Sequence, residues 1–187
     1  MKVVKLIILL VVMTFPFFTL SRNVLAVSAD PSPKPTKVDS FELFWPIVAG
    51  KVEGDSMYRL KIFKENIRGY LILSNLKKAE YLTFISSKRL VEFEELALSR
   101  KNFENATKTL EVYMSTHKKI FSYLDKGKSE GVVITNTQSI IEDTLNRQLT
   151  LLNYILTSVD NSQKTGIESA ISFINSELDT NSELEKL

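Results

Sequence analysis

Cysteine is absent from this chain of 187 residues. That excludes disulfide cross-links and a lipid-modified cysteine behind a leader, so stability has to come from packing. The signatures of common catalysis are missing too. There is no H-E-x-x-H and no G-x-S-x-G, and the six glycines are scattered without forming a loop that cradles a phosphate. Sustained alternation of period two, the mark of a half-buried strand, occurs nowhere. No long basic run is present either, and a chain without one lacks the electrostatic footprint of a nucleic-acid binder.

Even the slight basicity of the whole chain is local. The formal net charge is +2, from 24 basic and 22 acidic residues. Lys2, Lys5 and Arg22 lie in the first 29 residues, which hold no acid. The chain from Asp30 onward is left with 21 bases against 22 acids, a net charge of −1.

What is present begins with that N-terminal segment. Lys2 and Lys5 lead into an apolar stretch over residues 6–20, interrupted by Thr14, Pro16 and Thr19. Small residues follow at Val27-Ser28-Ala29, with Ala29 suited to the last position before a signal-peptidase cut. Residues 1–29 are therefore expected to be an export signal, and the protein to be extracytoplasmic, secreted or associated with the cell envelope. The alternative is an uncleaved anchor through residues 6–20. That run falls short of the roughly 20 apolar residues that span a bilayer. Removing 29 residues from 187 leaves 158, the size of one ordinary domain.

Residues 30–38 read as a Pro-rich spacer, because Pro31, Pro33 and Pro35 at alternate positions favour an extended polyproline conformation. A helical domain is expected over 39–178 and a polar tail over 179–187. The domain opens on an apolar patch, Phe41, Leu43, Phe44, Trp45, Ile47 and Val48, with Asp39 and Ser40 as possible caps. Gly54-Asp55-Ser56 makes a turn and a helix start. Met57, Leu60, Phe63, Ile67, Tyr70 and Leu71 then recur at helical spacing, and Lys61, Lys64 and Arg68 line another face.

Further stripes follow. Asn75 marks a boundary before a stripe from Leu76 to Ala97 that is less regular at Ser86-Ser87. Asn102 is a good cap for the clean stripe from Phe103 to Leu124. Gly127 and Gly131 are expected to stop that helix. Val132 to Thr135 is β-branched but has no partner strand, so it is read as the lead-in to a helix bearing Ile141, Leu145, Leu152 and Ile155. Asp160 and Gln163 have near capping-box spacing before a last helix with Ile167, Ala170, Ile171, Ile174 and Leu178. The fold class is all-α, an antiparallel bundle of about five helices. Helix pairs of this length also suit a short stack of repeats, but no fixed 34-residue signature supports one.

Three segments in this frame carry a resemblance. Asp55-Ser56-Met57-Tyr58-Arg59-Leu60-Lys61 opens a helix, and Leu76-Lys77-Lys78-Ala79-Glu80-Tyr81 and Arg89-Leu90-Val91-Glu92 follow at helical distances. Together they resemble a family of exported helical bacterial proteins grouped as a domain of unknown function, DUF5667. The resemblance covers roughly Gly54 to Tyr113. It implies an exported, helix-rich domain and supplies no catalytic residues. Ser86-Ser87 departs from the alanine-rich helix expected there.

Candidate chemistry is sparse. His117 is the only histidine and lies on the apolar stripe between Tyr113 and Phe121. No acid stands three or four positions from it, so the structural role of a core histidine is the expectation. Glu92, Glu94 and Glu95 cluster behind Lys88 and Arg89 at spacings that suit ion pairs on a solvated helix face. Asn105-Ala106-Thr107 fits a glycosylation acceptor but falls inside a helix.

The surface of most interest is Met57 to Leu73 with its apolar neighbour Phe41 to Val48. Lys61, Lys64 and Arg68 beside Leu60, Phe63 and Ile67 match a helix lying on anionic lipid, and Trp45 suits a membrane boundary. The ordinary expectation is nevertheless that both segments pack into the bundle. No catalytic, cofactor-binding or metal-binding residue is assigned. Trp45, Lys61, Lys64 and Arg68 are the candidates for a membrane or partner surface. The function expected is a non-enzymatic domain that contacts an envelope protein or the membrane surface, with no nucleic acid and no cofactor. The competing reading is a metal-dependent sensor or enzyme built on His117 and acidic side chains.

Overall fold

The computed structural model describes residues 38–184, all within a compact unit that runs from Thr36 to Leu187. The expected signal, its alternative as an anchor and nearly all of the spacer lie outside the described residues. Six α-helices follow one another: α1 (Ser40–Leu43), α2 (Tyr58–Leu71), α3 (Asn75–Glu94), α4 (Phe103–Ser129), α5 (Thr135–Ser158) and α6 (Asn161–Leu184). A π-helical turn, Glu95–Ser99, prolongs α3. No strand occurs among the described residues, and Val132 to Ile134 is a connection. The all-α bundle is the architecture observed, with five long helices and one short one.

Local signals place several of the boundaries. Asp39 accepts from the Phe41 amide at 2.8 Å, and Asn102 from the Asn105 amide at 3.2 Å, each satisfying an amide the first turn leaves open. Ser74 does the same more loosely for Lys77. Two boundaries differ from expectation. Gly127 lies within α4, where a Cβ would stand 2.4 Å from Leu76 Cδ2, so glycine is there to let α3 and α4 close together. The chain turns at Gly131 instead, with φ +73°. The last helix continues past residue 178 to Leu184.

Side-chain pairs give the topology. Leu76 meets Gly127, so α3 and α4 are antiparallel. Thr137 bonds Glu80 and Gln148 bonds Ser86 and Ser87, so α5 runs parallel to α3. Leu110 lies against Gly166 and His117 against Phe173, so α6 runs parallel to α4. Each of these four helices thus reverses the one before it. The core between them is a single cluster drawn from residues 44–174, including Leu90, Leu96, Ile120, Leu145, Leu152, Ile155, Ile167 and Ile174.

A polar layer crosses this core. Tyr113 donates to Gln148 Oε1 at 2.9 Å, and Gln148 Nε2 donates to the hydroxyls of Ser86 and Ser87, both at 2.9 Å. The irregular step in the α3 stripe is thereby explained. Two serines stand where alanine would fit because Gln148 of α5 needs acceptors inside the bundle.

Candidate functional site

Helix α2 joins the bundle by its charged side. Tyr58, Lys61, Ile62, Glu65 and Gly69 share one face at helical spacing and turn toward α3. Opposite them, Glu92 is wholly buried and Arg89 nearly so. An ionised carboxylate in that position is tolerated only when bonded and neutralised. Both conditions are met. Arg89 Nη1 donates to both Glu92 oxygens at 2.5 Å, Lys61 Nζ to Oε1 at 2.5 Å, and the Tyr58 hydroxyl to Oε2 at 3.0 Å. Arg89 also pairs with Glu65, which binds Lys88 as well. Lys61 fills its remaining donors with the carbonyls of Ala49, at 2.8 Å, and Lys51, at 2.7 Å. Burial alone would weaken the charge on Arg89, but Glu92, Tyr58 and Glu65 outweigh it and hold its pKa above the ordinary value. Burial, reinforced by the Glu92 charge, pushes the Tyr58 phenol well up.

Of the acidic cluster, Glu92 is therefore not on a solvated face, whereas Glu95 pairs with Arg100 at the surface. Lys88, Arg89 and Glu92 have the spacing of surface ion pairs, yet they form the seam on which α2 lies. Gly69 completes it, because a Cβ there would approach the Tyr81 ring to 3.1 Å. The Tyr81 hydroxyl reaches the Glu65 carbonyl at 2.8 Å.

With its polar side turned inward, α2 presents the apolar stripe to solvent. Leu60, Phe63, Ile67, Tyr70 and Leu71 are all exposed, Phe63 at 59% and Tyr70 at 83%. The expectation that this stripe packs into the bundle is overturned. The buried carboxylate of α3 has to be satisfied, and the polar face of α2 supplies the Tyr58 and Lys61 donors that Arg89 alone does not. The neighbouring patch divides. Phe44 and Ile47 enter the core, while Trp45, at 73% exposure, and Val48 remain outside. Val48 and Met57 share a groove with Leu60 beside α2.

The four sequence candidates separate accordingly. Lys64 and Arg68 flank the exposed apolar arc, and Trp45 lies exposed on the adjoining segment. Lys61 does not join them, since it is turned inward onto Glu92. Arg59, which sequence reasoning passed over, borders the opposite side of the arc. Among the described residues Arg59 and Lys64 have no acidic partner, and Arg68 is held only over the Tyr81 ring, 5.6 Å from its centre. Glu65, the one acid of α2, is on the buried side.

His117 is elsewhere. It is fully buried between Tyr113 and Phe173, and neither ring nitrogen has a hydrogen-bond partner. Burial lowers its pKa to about 3, with the nearby Gln148 side chain opposing the shift. No carboxylate among the described residues pairs with it. Asn105 is partly buried and spends its side-chain N–H on the Glu53 carbonyl, so the acceptor pattern is occupied by a structural bond. No described helix is long and apolar enough to cross a membrane.

Residues 51–151 match the family model for the domain of unknown function DUF5667. The chain belongs to that family. The match takes in α2, the seam beneath it, α4 and most of α5, so the inverted attachment of α2 falls within the family domain apart from the Ala49 carbonyl. It stops at Leu151, although the core needs Ile167, Ala170 and Ile174 of α6. No curated protein and no solved structure matches the chain.

Proposed function

We propose that this member of DUF5667 is a non-enzymatic, exported domain that rests on an anionic membrane surface at the cell envelope through the outward face of α2. One observation carries the reading: an amphipathic helix is bound to its own protein by the charged side and offers solvent the apolar one. That orientation leaves greasy surface exposed, which a globular protein ordinarily covers. The outer arc is apolar at its centre and bordered by Arg59, Lys64 and Arg68, with no acid among them. This is the charge pattern of an interfacial helix on anionic lipid. Trp45 and Tyr70 have the amphipathic rings that favour the headgroup level. A leader over residues 1–29 would deliver the domain to such a surface, and the Pro-rich spacer would give it reach.

The test uses the chain from Asp30 onward with vesicles of phosphatidylcholine alone or containing phosphatidylglycerol. Trp45 is the only tryptophan, so its emission reports contact directly. Binding to the anionic vesicles with a blue shift is expected. Changing Arg59, Lys64 and Arg68 together to Gln should weaken it at about 1 kcal/mol per charge, more than a hundredfold in all. Phe63→Asp should abolish it. Equal partitioning onto neutral and anionic vesicles, or none onto either, would overturn the membrane reading and leave the face to a protein partner.

A further inference from the structure

We propose that the cleft between α2, α3 and α4 binds an anionic amphiphile: one carboxylate or phosphate on an apolar body of small-molecule size. The cleft measures about 370 Å³, within the range of small-ligand sites. Ile62 of α2, Leu82 and Ile85 of α3 and Val112 of α4 supply apolar walls, and the Tyr81 and Tyr123 side chains add aromatic ones. Val112 is half exposed there, an apolar side chain inside a concavity that none of the described residues covers.

The charges select the sign of the ligand. Lys78 of α3 and Lys119 of α4 both line the cleft, and neither has a carboxylate partner among the described residues. Lys78 rests over the Tyr123 ring, its ammonium 5.3 Å from the centre, so it is positioned without being neutralised. The only acid on the lining is Glu65, already bound by Arg89 and Lys88. Two unpaired ammonium groups at the rim of an apolar slot match a ligand with an anionic head and a greasy body. A simple inorganic anion leaves the walls unused, and a neutral alkyl compound leaves the lysines unused. The site shares Tyr70 with the outer arc of α2, but neither Phe63 nor Lys64 lines it.

Titration calorimetry on the chain from Asp30 onward decides the matter, with decanoate and decyl phosphate as monomers below their micelle concentrations. Decanol and inorganic phosphate serve as the two half-ligands. One-to-one binding of both alkyl anions is expected, at least tenfold tighter than either half-ligand. Tighter binding of decanoate would assign a carboxylate head, and of decyl phosphate a phosphate head. The pair of changes Lys78→Gln and Lys119→Gln should weaken it at least tenfold, and Val112→Trp should block it by filling the slot. Val112 and Lys119 are exposed and Lys78 half-buried, and circular dichroism checks that each variant keeps its helices. Phe63→Asp should leave this binding intact, which separates its outcome from that of the membrane test. Equal affinity for decanol, indifference to the lysine and Val112 variants, or no binding of either alkyl anion would overturn the proposal.

Discussion

His117 makes the stability of this protein depend on pH in a way that its neighbours cannot mask. The imidazole is fully buried, with neither ring nitrogen bonded, and its folded-state pKa falls to about 3. In the unfolded chain it titrates near 6.5. Between those values the unfolded state holds a proton that the folded state refuses, so stability rises with pH across the window and is lost on acidification. The loss begins as pH drops below about 6.5 and grows by about 1.4 kcal/mol per unit. From pH 7 to 4.5 it amounts to roughly 2.5 kcal/mol, a large share of a domain stability of about 5–15 kcal/mol.

The control is His117→Leu, which keeps an apolar side chain in the site and forfeits no hydrogen bond. Urea unfolding followed by circular dichroism at several pH values measures both proteins. The wild type should lose stability steadily between pH 6.5 and 4.5, and the variant should show a much flatter profile. Free carboxylates titrate near or below the lower edge of that window. Asp55 and Glu104 are lowered further by their hydrogen bonds to Arg100 and Lys108, so they stay ionised in it. Glu177, which burial and the Asp125 charge raise, is common to both proteins, so the difference between their profiles isolates His117. Parallel profiles for wild type and variant would refute the argument that His117 is held neutral.

Two further perturbations address packing. Glu92→Gln leaves Arg89 and Lys61 buried without their shared counter-charge and should cost about 3–5 kcal/mol. Hydrogen exchange should show the α2 amides opening well before those of α4, and uniform protection would argue that the seam does not hold α2. Gly127→Ala would gain about 1 kcal/mol by helix propensity alone. Here its Cβ meets Leu76, so a net loss of about 1–3 kcal/mol is expected by chemical denaturation. Pairing it with Leu76→Ala should cost less than the two changes added together, and simple additivity would contradict the close approach.

Much of the fold was legible because helical periodicity and capping are local. The stripes from Phe103 to Leu124 and from Ile141 to Ile155, and the cap at Asn102, all appear where spacing put them. Gly127 misled because glycine at a helix end and glycine at a helix contact look alike in sequence. The Ser86-Ser87 irregularity was visible, but its reason lay in Gln148, more than sixty residues away. Sequence spacing also grouped Lys61 with Lys64 and Arg68, and only the structure shows that Lys61 is drawn inward.

By itself the sequence determined that α2 is amphipathic, since that depends only on which residues recur at three- and four-residue steps. Which side faces out was decided by tertiary structure. Glu92 and Arg89 are buried by the packing of α3 in the bundle, and a buried ion pair demands polar partners that are near in space. Tyr58, Lys61 and Glu65 answer that demand. Leu60, Phe63 and Ile67 are therefore turned toward solvent.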